Sequence, residues 1–441
     1  MDVLSKAVIS GARPEEISAT PLPDQYLAAH LRSEDVGVFD GVADKDVRRS
    51  LRLGSVPMPE LAPDETLVAV MASAINYNTV WSATFEPLPT FEFLARHGRQ
   101  GGLAARHDLP HHVVGSDGVG VVVRTGAAVS RWNVGDHVVI SCVQVDDHEP
   151  ATHADGMLGA GQRIWGYETN FGGLATYAVV KASQLLPKPG HLTWEEAAST
   201  MLTAATSYRM LISDKGARIK IGDIVLIWGA AGGLGAFAVQ LVKQAGGIPV
   251  GVVSSDDKAE ALRVLGCDVI LNRTELGVGT ATTPEETIEQ GKRLGRAIRD
   301  AVGEDPHVVF DYVGRSTFGL SVFVVRRGGT IVTCGSTTGF HHLYDNRYLW
   351  MNSKRIIGSH AANLQEQFEC GRLFGLGKIV PVLSTVYPLS EVGEAARLVQ
   401  TNQHIGKVGV LCLAPEEGMG VTEPEFREEL GASALNPLRK V

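Results

Sequence analysis

Cysteine is scarce in this chain. Cys142, Cys267, Cys334, Cys370 and Cys412 are scattered over 441 positions, and none falls in a Cys-x-x-Cys pair. An odd, dispersed set argues against a disulfide framework and against a structural zinc lobe. Long apolar runs are missing too, since nothing approaches the ~18 residues that span a bilayer. The opening Met1-Asp2-Val3-Leu4-Ser5-Lys6 lacks the basic patch and apolar segment of a secretory signal. Positive charge is in deficit: 40 Lys and Arg stand against 49 Asp and Glu, for a net charge of −9. The basic footprint of a nucleic-acid binder is therefore absent. With 44% hydrophobic and 20% charged residues, the chain is too apolar for disorder. The expectation is a soluble, cytoplasmic protein of two or three domains, at ~100–200 residues per domain.

Two textures divide the sequence. In the first part, short strand-like runs at 67–71, 119–123 and 138–143 are separated by Gly and Asp turn signals. They predict a β-rich barrel or sandwich, interrupted by a long Pro-, Gly-, His- and Arg-rich segment at 85–112 whose length suggests a functional or disordered loop. From about residue 204 strand and helix alternate, the pattern of a parallel sheet with crossover helices. Thr283-Pro284-Glu285-Glu286 reads as a capping box opening a helix toward Val302. After Ile356 the elements are mixed again. The expected fold class is thus α/β, a doubly wound parallel sheet inserted into a β-rich domain, with segments 1–203, 204–353 and 354–441.

The inserted part carries a nucleotide signature. The apolar run 224–228 leads into Gly229-Ala230-Ala231-Gly232-Gly233-Leu234-Gly235, then into a helix with Phe237, Ala238, Leu241 and Val242 on one face. Strand, glycine turn and helix in that order are the context a dinucleotide fingerprint needs. Ala230, Gly232, Gly233, Leu234 and Gly235 are the expected phosphate-binding turn, where the backbone approaches a diphosphate and the helix start offers free N–H groups. The end of the next strand discriminates between cofactors. It reads Ser254-Ser255, with Lys258 just beyond and Arg273 after the third strand. Hydroxyls and cations suit a 2′-phosphate better than a bare ribose, so NADPH is expected.

The β-rich frame around a nucleotide-binding unit resembles the medium-chain dehydrogenase/reductase superfamily, which implies a GroES-like catalytic domain beside a Rossmann domain. Where zinc-dependent members carry their ligands, this chain reads Ala74-Ile75-Asn76-Tyr77-Asn78 and Gly115-Ser116-Asp117-Gly118, so no catalytic metal is expected. A narrower resemblance rests on residues 75–81, on Trp165-Gly166-Tyr167-Glu168-Thr169-Asn170-Phe171-Gly172-Gly173, on Ile357-Gly358-Ser359-His360, and on residues 407–413. These motifs are similar to those of the enoyl-CoA carboxylase/reductases, and the likeness covers nearly the whole chain.

That resemblance implies an oxidoreductase that reduces an α,β-unsaturated acyl-CoA with NADPH and traps the enolate with CO2, giving an alkylmalonyl-CoA. Asn78, Tyr167, Glu168 and His360 match the family's CO2 pocket. Amide and imidazole donate to CO2 oxygens, and Glu168 fixes a bridging water. Ile164 and Ala361 match positions bordering the acyl group; Arg347 and Tyr348 match positions holding the nucleotide end of CoA. The family commonly has Phe where this chain has Tyr167 and Ala361, and the loss of a ring at 361 implies acyl chains longer or bulkier than crotonyl. A homodimer or homotetramer is the superfamily's habit; no nucleic-acid or membrane partner is expected. Two other activities stay open: a plain NADPH-dependent enoyl-thioester or quinone reductase, and a catalytically silent relative that retains NADPH.

Overall fold

The computed structural model describes residues 1–440 and divides into two compact units. The first comprises Met1–Leu202, Asn363–Gly371 and Leu383–Ala432; the second comprises Thr203–Ala362, Arg372–Val382 and the chain from Ser433. Val441, the last residue of the expected C-terminal segment, lies outside the described residues.

The first unit is built on a seven-stranded sheet whose hub is Glu65–Ala74, buried along its whole length. This strand pairs antiparallel with Val119–Thr125, Tyr177–Lys181 and Lys407–Leu411. The late strand Lys407–Leu411 thus completes a sheet begun by early residues, which is how the chain returns to its first unit. Val68, Val70, Val122, Val138, Ile140 and Trp165 form the core on one side, each full burial of such a side chain being worth ~1.5–3 kcal/mol. The first sixty residues, for which no periodicity was expected, form the helices Val3–Ile9 and Pro14–Ala19 and the strands Gln25–Arg32 and Arg52–Pro57. Segment 85–112, expected to be a functional or disordered loop, is ordered, which removes the second alternative. It folds into the helix Phe91–Gly98, a 3-10 turn Gly102–His107 and the strand His111–Val113, which pairs with Gln25–Arg32.

The second unit is an all-parallel sheet of six strands. Their spatial order is Val269–Asn272, Ile248–Val253, Ile224–Ile227, Val308–Phe310, Thr330–Thr333 and Arg355–Gly358. Sequence order 3-2-1-4-5-6 is that of the doubly wound dinucleotide fold. Apolar clusters cover both faces: Val225, Ile227, Val239 and Phe310 lie in one, Leu226, Val309, Leu294 and Ile331 in the other. The capping box forms as expected, with Thr283 accepting from the Glu286 N–H and the helix running Pro284–Val302 to a left-handed Gly303. The unit extends past the expected boundary at 353, because Arg355–Gly358 pairs with Thr330–Thr333 as the sixth strand.

Candidate active site

In the parallel-sheet unit, Ile224–Ile227 feeds the glycine turn and then the helix Gly233–Gln244. Gly232 caps that helix without any side-chain acceptor, so its first-turn N–H groups are open to an anion. A Cβ on Gly235 would lie 2.4 Å from the Gly229 carbonyl oxygen, so the close turn demands glycine there. Tyr312 donates its hydroxyl to the same carbonyl at 2.8 Å, and the Ala230 N–H bonds the Val252 oxygen at 3.2 Å. Both contacts hold the turn to the sheet.

Ser254 and Ser255 follow Ile248–Val253, and Ser255 precedes the helix Asp256–Val264 without capping it through its side chain. Burial, and then the Arg273 guanidinium, push the Lys258 ammonium below its ordinary pKa. Two cations brought within repulsive range at the end of this strand form a poor arrangement alone and a good one around a phosphate. Asp256 and Asp257 are exposed in the helix's first turn, where the helix dipole favours them. The residues present therefore fit NADPH.

The first unit gathers three of the family-like motifs. Trp165, 1% exposed, donates its backbone N–H to the Cys142 carbonyl at 2.7 Å and its indole N–H to Phe171 O at 3.0 Å. Next, Gly166 adopts φ 70°, and a Cβ there would meet the Gly115 carbonyl oxygen at 2.0 Å. This approach demands glycine at 166, where the neighbour is backbone and cannot give way. The Glu168 N–H bonds Ile164 O at 2.7 Å while its carboxylate accepts the Ile164 N–H at 2.8 Å, a turn closed from both ends. Tyr167 is half-buried, its ring 5.7 Å from that of Phe93, and burial together with Glu168 pushes its phenol up to about 12.

Asn78 lies in the first turn of the helix Tyr77–Thr84. Its Nδ2 donates to Ser116 Oγ at 2.8 Å, and Ser116 in turn donates to the Trp165 carbonyl at 2.7 Å. Asn78 Oδ1 is buried with no protein donor, a situation that costs ~1–3 kcal/mol when left unrelieved. Beside it, Asn76 Nδ2 donates to Asp117 Oδ2 at 2.7 Å, and Lys407 Nζ donates to Asn76 Oδ1, Asp117 Oδ2 and Ile75 O. Segments 75–81, 115–118, 165–173 and 407–413 thus converge on one network.

Sequence reasoning missed the ordered insertion's part in this. His107 Nδ1 accepts the Asn170 N–H at 3.1 Å, and His112 bridges Thr90 Oγ1 at 2.8 Å and Thr169 O at 3.2 Å. Burial holds both imidazoles neutral, pushing His107 down to about 2 and His112 down to about 4. Arg106 pairs with Glu65 and lies 5.7 Å over the Phe171 ring. Its place beside His107, in a segment whose length suggested a functional or disordered loop, was the available signal. Among the described residues, no group of three or more His, Cys, Asp or Glu side chains is placed to hold a metal ion.

The remaining expected residues, Ile164 apart, belong to the parallel-sheet unit. His360 is exposed just past Arg355–Gly358, and Ala361 after it is 8% exposed with φ 43°. Ile164, in the first unit, is buried. The guanidinium of Arg347 is exposed and held by Asp345 at 2.6 Å, while Tyr348 packs on Phe323 with ring centroids 4.8 Å apart. Neither contact is specific to a nucleotide. No helix among the described residues is long and apolar enough to cross a membrane.

Comparison with known proteins bears on these arrangements directly. Residues 62–190 match the family described as alcohol dehydrogenase GroES-like domain, and residues 233–373 match zinc-binding dehydrogenase. The chain is 51% identical to a crotonyl-CoA reductase of Streptomyces collinus, across 100% of this chain and 99% of the relative. It is 39% identical to the crotonyl-CoA carboxylase/reductase of Cereibacter sphaeroides, across 90% of each. The structure of the 2-octenoyl-CoA carboxylase reductase CinF, solved with NADP and 2-octenoyl-CoA, is similar with a TM-score of 0.98, at 62% identity over 99% of both chains.

Proposed function

The chain belongs to the crotonyl-CoA/enoyl-CoA carboxylase/reductase family, and from that membership we propose that it catalyses NADPH-dependent reductive carboxylation of an α,β-unsaturated acyl-CoA. The observation that carries this is the convergence of Asn78, Ser116 and the Trp165 carbonyl in one hydrogen-bonded chain beside the Glu168 turn. A plain reductase has only to let a proton reach the enolate. Ordering a neutral triatomic electrophile requires fixed polar groups held from behind. When bound, NADPH supplies the hydride that reduces the β-carbon. Ser254, Ser255, Lys258 and Arg273 hold its 2′-phosphate, and Ala230, Gly232, Gly233, Leu234 and Gly235 hold its diphosphate. Asn78 and His360 orient CO2 toward the α-carbon, and Glu168 holds a water against it. Tyr167 and Ile164 line the pocket and exclude bulk water from the basic enolate.

The substrate proposed is an enoyl-CoA longer than crotonyl. Ala361 leaves room that a Phe would occupy, and CinF is described as acting on 2-octenoyl-CoA. The second reading, reduction alone, draws on the Streptomyces collinus relative, described simply as a reductase. Labelled bicarbonate incorporated per NADPH oxidised, measured with a panel of enoyl-CoAs, separates the two: near-unit stoichiometry supports carboxylation, and saturated acyl-CoA alone refutes it. We further propose a homodimer or homotetramer that covers the open edge strand Arg355–Gly358 and the exposed Trp350, Met351 and Ile356, because an unpaired apolar edge invites pairing. Work in the cytoplasm accords with five free cysteines.

A further inference from the structure

Ser116 is 1% exposed and stands between two groups the proposed reaction depends on, the Asn78 amide and the backbone of Trp165. A hydroxyl owns one hydrogen. At 2.7 Å that hydrogen goes to the Trp165 carbonyl, which has only acceptor capacity. Toward Asn78 the Ser116 oxygen is therefore an acceptor, and the amide must turn its nitrogen, not its oxygen, to face it. Among the described residues no other side chain bonds the Asn78 amide, and its Oδ1 has no protein donor. Nothing else in this unit dictates which way the amide faces. Turning it over would set two oxygens against each other with no proton between them.

We propose that Ser116 is the positioning residue that fixes the facing of the Asn78 amide, and so sets how much of the enolate is carboxylated and how much is protonated. This rests on the reductive-carboxylase reading. The Trp165 carbonyl acts as the reference: it belongs to the turn carrying Tyr167 and Glu168 and is itself anchored through its N–H to Cys142. Ser116 thereby couples the amide in a helix's first turn to the turn that carries the Glu168 carboxylate. Serine at this place was visible in Gly115-Ser116-Asp117-Gly118, but there it marked only the absence of zinc ligands.

The test uses the full-length enzyme with Ser116→Ala and the size-preserving Ser116→Cys, whose thiol is a weak donor and acceptor. With one enoyl-CoA, both variants should raise the apparent KM for CO2 and the share of saturated product about three- to tenfold, while NADPH oxidation stays within about twofold of native. A residue that merely supports the fold would lower both products together. Unchanged product partition in either folded variant overturns the positioning role and leaves the carboxylase reading standing. A native enzyme that forms no carboxylated product overturns both, and that outcome is read before any variant is made.

Discussion

Lys407 and Asp117 form an ion pair at 2.8 Å with side chains 3% and 2% exposed, joining the last strand of the seven-stranded sheet to the loop that carries Ser116. Each partner is fully occupied: Lys407 Nζ donates to three oxygens, and Asp117 also accepts from Asn76 Nδ2 and the Leu202 N–H. The pair locks the loop preceding Asn78 to the one preceding Val119.

Removing one member leaves the other charged, buried and alone. Lys407→Met or Asp117→Leu should each cost ~3–5 kcal/mol in denaturant unfolding of the first unit. The double variant should cost less than the two single costs combined. Strict additivity would show that the two side chains do not interact.

Cofactor choice is expected to follow the cations at the end of Ile248–Val253. Lys258→Ala and Arg273→Ala should each lower kcat/KM for NADPH by about one to two decades, as loss of a charge-assisted contact does, with little change for NADH. Equal loss for both cofactors would remove these residues from the 2′-phosphate site.

Acyl length should depend on position 361. Each additional buried methylene is worth ~0.8 kcal/mol, so the native enzyme should match or prefer hexenoyl- and octenoyl-CoA over crotonyl-CoA. Ala361→Phe should reject octenoyl-CoA while sparing crotonyl-CoA. Because Ala361 has φ 43°, Ala361→Gly serves as the control that relaxes the backbone without filling space. A native preference of about tenfold for crotonyl-CoA would show that the residue does not set depth.

Acid should loosen the insertion. The His112 imidazole titrates at about 4 in the folded chain, below its ordinary value of 6.5. Between those values the unfolded chain takes up the proton and the folded chain does not. Stabilisation is therefore complete above pH ~6.5 and falls as pH drops toward ~4, by roughly 3 kcal/mol in all. In His112→Gln the unfolding free energy should fall less steeply across that window. Parallel curves would assign the acid sensitivity elsewhere.

Much of this fold is legible in the residues because the relevant physics is local. The capping box at Thr283 and the apolar face of Gly233–Gln244 are read within a few residues. Arg355–Gly358 was missed as a sixth strand because it is short and carries an exposed Arg at an open edge, giving no buried run. The candidate site divides the same way. Asn78 and Glu168 stand out through motifs, but Ser116 meets Asn78 across 38 positions and Lys407 meets Asp117 across 290. His107 and His112 look like an insertion's polar residues until folding brings them to Asn170 and Thr169.

The contact between Gly115 and Gly166 has a bearing on anyone who would breed this enzyme toward other acyl groups. Gly115 sits at φ 109°, where a Cβ would strike the Leu174 nitrogen at 2.5 Å, and Gly166 is as confined by Gly115. Neither position tolerates a codon change, singly or together, since each is hemmed by backbone that no repacking moves. Libraries spent on them should return few active clones. Diversity placed at Ile164 and Tyr167, near Gly166 in sequence, instead varies side chains while the close glycine backbone stays put, so adaptation here should proceed by exchanging side chains around an inherited frame.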